Sequence, residues 1–237
     1  RNCKMIEVPL NKLLFFDLET VGVEKDYTTL NNKNPEMGRL FESYRNWFTK
    51  RYPDDDGKTL DEIFTNHAAL VSDFSKIIVA SFSFITPKGE IHTTTFAEDD
   101  EKKLLEGVKD LLNKVLKLDF YLCGHNIKGF DMPMLSKRFV VNGIKPPKIL
   151  PALGTKPWEL KAVDTKELWQ FGSFNSPASL DLMCVALNVE SPKTGEVSGN
   201  MVHDTYWNSN GLQPIADYCE RDVKVLIDVM KKIYSLK

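Results

Sequence analysis

Apolar and polar positions recur along the chain with two periods, and the changes between them mark out its elements. Residues 12–18, "KLLFFDL", form a run with hardly a polar break, as in a central strand covered on both faces. A polar, irregular stretch follows, "VGVEKDYTTLNNKNPEMG". Helical spacing then predicts a helix near 36–50, a turn at "PDDDGKT" and a short helix near 60–69. "KIIVASFSFI" (76–85) and "EIHTTTFA" (90–97) read as strands joined through a hairpin turn at "TPKG". Over 99–117, Leu104, Leu105, Val108, Leu111, Leu112 and Val115 fall at helical intervals. A short strand in "DFYLCGHN", a helix after "FDMP", a strand at 161–164 and helices at 165–170 and 178–187 follow. The last helix begins at Pro214, tolerated in a first turn, and runs almost to Lys237. A hairpin followed by alternating helices and strands predicts an α/β fold, a mixed sheet covered by helices.

Length and composition narrow this picture. The 237 residues are 42% hydrophobic, enough for one large domain; 1–237 is read as a single domain with an insertion over roughly 22–72. The chain starts at Arg1 rather than Met, which leaves the native N-terminus open. A net charge of −2 excludes a molecule-wide basic field, so a nucleic-acid partner would need a local patch. Cys3, Cys123, Cys184 and Cys219 are far apart and form no CxxC pair, which points to free buried thiols in a reducing cytoplasm. No apolar stretch is long enough to span a bilayer, and the first residues lack a signal-peptide pattern.

"YPDDDGKTLDEI" imitates a calcium loop, but aligned on Gly57 its first position is Tyr52 and its twelfth Ile63, where acids are required. It is read as a solvated turn. There is no P-loop, HExxH or GxSxG.

The informative residues are acids in apolar surroundings. Asp17 and Glu19, two apart on a strand, share a face with α-carbons roughly 6.5 Å apart. That suits convergence on a cation, and equally a strand end emerging into solvent. Asp131 in "GHNIKGFDMPML" stands where a helix N-cap would, with Pro133 in the first turn, and capping alone would account for it. In the last helix Ile215, Cys219, Val223, Leu226, Met230 and Ile233 form an apolar stripe, with Asp217, Arg221, Lys224 and Asp228 opposite. Asp222 falls on the stripe's margin beside Tyr218, four residues earlier, and a carboxylate there needs a partner.

Taken in order, "FDLET", "HNIKGFD" about 110 residues later and "YCERD" resemble the three motifs of the DEDD superfamily of 3′→5′ exonucleases. The YxxxD form resembles the tyrosine subgroup. "SLDLMCVAL", "SGNMVHDTYW" and "IADYCERDV" are similar to the proofreading exonuclease domain of family B DNA polymerases, and particularly to its stand-alone predicted relatives. The resemblance implies a ribonuclease-H-like fold, a five-stranded mixed sheet with helices on both faces. It implies two divalent cations, Mg²⁺ or Mn²⁺, at positions matching Asp17, Glu19, Asp131 and Asp222, with Tyr218 holding the attacking water. The substrate it implies is a single-stranded or frayed DNA 3′ end.

Asn126 resembles a substrate-positioning residue of the second motif, although a loop amide bonded to backbone explains it as well. Leu18 and Thr20 follow the family pattern for contacts to the terminal nucleotide, and Phe130 is read as core before base platform. His125, His203 and Asp204 are read as polar loop residues. In the insertion, Leu40, Phe41, Tyr44, Trp47 and Phe48 are assigned to a core stripe, while Arg39, Arg45, Lys50 and Arg51 stay open as phosphate contacts. "KR" at 137–138 and "KPPK" at 145–148 are candidate strand-binding edges. Two further readings stand beside DNA exonuclease: an exoribonuclease using the same site, and a noncatalytic module of this fold that binds nucleic acid or a protein partner.

Overall fold

The computed structural model describes residues 8–173, 178–190, 198–209 and 211–235. Five strands form one sheet: β1 Leu13–Gly22, β2 Ser75–Ile85, β3 Ile91–Ala97, β4 Tyr121–Gly124 and β5 Ala162–Asp164, in the order β3-β2-β1-β4-β5. The β1–β2 and β2–β3 pairs are antiparallel, and β1–β4 and β4–β5 are parallel. This is the expected mixed sheet.

Alternation along β1 gives each face a different cover. Leu14, Phe16 and Leu18 pack with Ile77, Ala80 and Phe82 beneath α5 (Glu101–Lys117) and α6 (Asp131–Val141). Leu13, Phe15 and Val21 face α10 (Leu212–Tyr234), whose Ile215, Cys219, Val223, Leu226 and Met230 form the expected stripe.

The first strand is longer than 12–18 because its partner is long. Pairing with β2 continues to Gly22↔Ser75, whereas pairing with β4 stops at Phe15↔Cys123. Asp17 and Glu19 are therefore not at a strand end. They lie inside β1, past the end of β4, so one edge of the strand is open beside them. A bulge between Glu19 and Thr20, where Glu19 faces Val79 and Thr20 faces Ile77, adds a local twist. The close approach of β4 to β1 depends on Gly124, where a Cβ would lie 2.7 Å from the Phe16 carbonyl and 2.3 Å from Ile127 Cγ2.

The segment after β1 holds four helices: α1 Tyr27–Lys33, α2 Pro35–Ser43, α3 Arg45–Arg51 and α4 Leu60–His67. Leu30, Phe41, Phe48, Ile63, Phe64 and Phe74 fill a core of their own. The polar stretch read as irregular contains α1, whose Asp26 cap accepts from Thr29 N. The helix expected over 36–50 breaks at Tyr44, and only part of the stripe is buried: Phe41 and Phe48 are fully buried, but Leu40, Tyr44 and Trp47 are exposed. The "PDDDGKT" turn is not simply solvated, for Asp55 is buried and bonds Lys58 Nζ at 2.6 Å and the His67 ring.

The remaining helices are α7 Thr165–Gln170, α8 Leu180–Leu187 and α9 Val202–Ser209. The sequence reading places the last in a loop. Within it His203 is buried against the Lys25 carbonyl, Nε2···O 2.8 Å, while Asp204 is exposed. Cys123, Cys184 and Cys219 are buried and free; Cys3 lies outside the described residues. No helix among the described residues is long and apolar enough to cross a membrane.

Candidate active site

Four acids and a tyrosine separated by as many as 205 positions in sequence are gathered at the open edge of β1. β1 presents Asp17 and Glu19 on the face covered by α10, which returns Tyr218, Cys219 and Asp222 against them. The donor atoms of Asp17, Glu19 and Cys219 lie within 4.8 Å of one another, a grouping able to hold a metal ion. Asp131 arrives from the other side of the sheet, where α6 begins past the end of β4, and the backbone amide of Leu18 lies close enough to favour the charged forms of both Asp17 and Asp131.

Asp131 is the first residue of α6 and not its cap. Phe130 occupies the cap position and contributes no side-chain hydrogen bond. The capping explanation fails, and a 97%-buried carboxyl remains to be accounted for. Glu19, Asp222 and Tyr218 are also buried, while Asp17 is partly exposed.

Proton affinities register the crowding. Burial, then the Asp131 and Asp222 charges, push Asp17 well above the usual carboxylate range, against hydrogen bonds from Cys219 and the Leu18 amide. Burial, then Asp17, Asp222 and Asp131, do the same to Glu19. Asp131 is pushed up to about 7 by burial and the Asp164 charge, opposed by the amides of Asp131 and Leu18. No basic side chain among the described residues offsets these three acids. Buried oxygen donors that repel one another and lack a protein counter-charge fit hard divalent cations. Burial and then the Asp222 and Glu19 charges raise the Tyr218 phenol above its ordinary value.

The secondary residues divide. Asn126 sits at φ 61°, a left-handed conformation that Asn tolerates, with its amide N–H on Asp164 Oδ1 and its Oδ1 accepting from Lys166 Nζ at 3.1 Å. Gly129 lies close beside it, and a Cβ there would lie 2.8 Å from Asn126 Oδ1 and displace that side chain. The Leu18 side chain belongs to the core, which leaves its backbone to face the site. Thr20 spends its hydroxyl on the Ala69 carbonyl at 2.8 Å. Phe130 packs on the core yet also lines a cleft with Leu70, Pro133 and Lys137. His125 is held by Thr165 Oγ1 at 2.9 Å, and burial lowers its pKa. Arg138 leaves the basic edge altogether: it is buried on Glu101 and the Ser72 carbonyl.

Two neighbours of the site escaped the sequence reading. Cys219 was counted as one apolar position of a stripe. Asp164 holds the Asn126 loop by accepting from the amides of Asn126, Lys128 and Lys166, and its only signal was its place between a strand and a helix.

A family model described as "Predicted 3'-5' exonuclease related to the exonuclease domain of PolB" matches residues 68–226, a span holding Asp131, Tyr218 and Asp222 but not Asp17 or Glu19. Among solved structures, the family B DNA polymerase from the hyperthermophilic archaeon Pyrobaculum calidifontis is similar over 98% of this chain, at 16% identity and a TM-score of 0.57. The likeness is one of fold, and it covers 25% of the polymerase chain. No curated protein matches.

Proposed function

The chain belongs to the family of predicted 3′–5′ exonucleases related to the exonuclease domain of PolB, with the ribonuclease-H-like α/β fold that goes with it, and on that premise we propose that it hydrolyses phosphodiester bonds from the 3′ end of single-stranded or frayed DNA. In this reading residues 1–237 form one exonuclease domain, and Asp17, Glu19, Asp131 and Asp222 are the ligands of two divalent cations, Mg²⁺ or Mn²⁺. The observation that carries it is the burial of mutually repelling acids, with no basic side chain among the described residues to offset Asp17, Glu19 and Asp131.

When bound, such cations supply an activated water and neutralise charge on the phosphoryl and departing 3′ oxygens. The protein's own groups do the rest. The acids fix the cations' places from three elements, β1, α6 and α10. Tyr218 keeps its proton at neutral pH, because burial and nearby carboxylates raise its pKa, so it orients water by hydrogen bonding and does not act as a base. Asn126, held by Asp164 and Lys166, offers an amide to the substrate strand, and the Leu18 backbone and Phe130 are further substrate contacts in this reading.

The test uses matched end-labelled DNA and RNA single strands with magnesium or with chelator. A 5′-labelled DNA strand shortens stepwise from its other end with magnesium and stays intact with chelator. Preferred cleavage of RNA would transfer the reading to an exoribonuclease, and cleavage undiminished by exhaustive chelation would rule the mechanism out.

A further inference from the structure

Cys219 is fully buried, and its thiol points at Asp17: Sγ lies 3.6 Å from Oδ2 and 3.4 Å from the backbone carbonyl of the same residue. It ends a run of side-chain contacts that crosses the sheet. Glu220 Oε1 accepts from Thr95 Oγ1 at 2.7 Å, Thr95 Oγ1 is 3.0 Å from Ser81 Oγ, and Ser81 is a near neighbour of Cys219. Each hydroxyl or thiol has one proton to give. Thr95 gives its proton to Glu220, so Ser81 is the donor in its contact with Thr95. The Cys219 thiol donates in its own contacts, because the atoms before it are the carbonyl and carboxylate oxygens of Asp17. Strand pairing explains why the run is straight: Asp17 faces Ser81 across β1–β2, and Ser81 faces Thr95 across β2–β3.

We propose that Cys219 is a positioning residue: its thiol fixes the Asp17 carboxylate so that one oxygen is held by the protein and the other is turned to a cation. The inference rests on the assignment of Asp17 as a cation ligand. Groups that orient a ligand in this way typically govern about 10–100-fold in metal affinity.

The experiment titrates Mn²⁺ alone into the full chain without nucleic acid and reads free Mn²⁺ by electron paramagnetic resonance. Parent, Cys219→Ala, Cys219→Ser and Asp17→Asn are compared, each with its melting temperature. Cys219→Ala is expected to weaken Mn²⁺ binding about 10-fold. Cys219→Ser, which restores a donor of similar size, is expected to recover most of that loss, and Asp17→Asn to lose the tight site. Parent-like binding in Cys219→Ala, or no recovery in Cys219→Ser, overturns the positioning role while Asp17→Asn still loses binding. Parent-like binding in Asp17→Asn overturns the assignment of Asp17 and the inference with it.

Discussion

Tyr218 stands one helical turn before Asp222 on α10, and after burial that residue's charge is the largest influence on its phenol. Together they keep the phenol protonated beside the acidic cluster. Its neighbour across the opening is Gly199, where a Cβ would come no closer than 3.7 Å to the Tyr218 oxygen.

Tyr218→Phe separates orientation from metal binding. The ring still fills its buried place, so melting temperature and Mn²⁺ affinity are expected to hold. Loss of one preorganised hydrogen bond should slow single-turnover cleavage about 10–1000-fold. A single-turnover rate equal to the parent's would remove Tyr218 from the mechanism.

Asp131→Asn is expected to cost little stability. Asp131 caps nothing, so no cap is lost, and the amide keeps the carboxyl's shape. A neutral amide is a poor ligand for a hard cation, so cleavage should fall to background. The paired measurements are thermal melting and 3′-end degradation. Normal values in both would leave Asp131 without a role.

The sequence disclosed whatever is periodic and local. β1, the β2–β3 hairpin, α5 and the α10 stripe were legible because burial on one face repeats every two residues or about every 3.6. The three acidic motifs were legible because polar residues in apolar settings are conspicuous. What stayed hidden depends on pairing between distant segments. Nothing in "LLFFDLET" shows that β4 stops at Phe15 while β2 continues, yet that mismatch opens the edge of β1 beside Asp17 and Glu19. Tyr44 breaks a spacing that would suit one continuous helix, and α1 and α9 are short enough for their polar residues to mask them. Cys219 looked apolar because a thiol packs like a small hydrophobe; its donor role appears only when α10 lies on β1.

Stability should depend on pH with a definite sign. Asp17, Glu19 and Asp131 all have folded-state pKa values above the ordinary carboxylate range, Asp131 at about 7. Their contribution is fully present below the unfolded pKa near 4 and is lost as pH rises through the folded values. In chelator, the melting temperature should therefore be higher at pH 5 than at pH 8. Magnesium, binding the folded state, should lift the pH 8 value most. Melting scans from pH 5 to 8 with chelator and with magnesium decide it; a cation-independent profile would mean these acids form no cation site.

Removing one charge should relieve the others. Asp222 raises the proton affinity of both Asp17 and Glu19 through its charge, and Asn is nearly isosteric with it. Asp222→Asn is expected to raise cation-free stability at pH 8 by about 0.5–2 kcal/mol while abolishing cleavage, the exchange common at sites that hold strain for function. Because one ligand is gone, the magnesium-induced rise in melting temperature should shrink as well. The two effects have opposite signs in the two buffers, which separates them from a general packing change that would shift both melts together. Parent and variant melted side by side in chelator and in magnesium give all four values. A variant less stable than the parent in chelator, with an undiminished response to magnesium, would mean that Asp222 serves the fold and not a shared cation site.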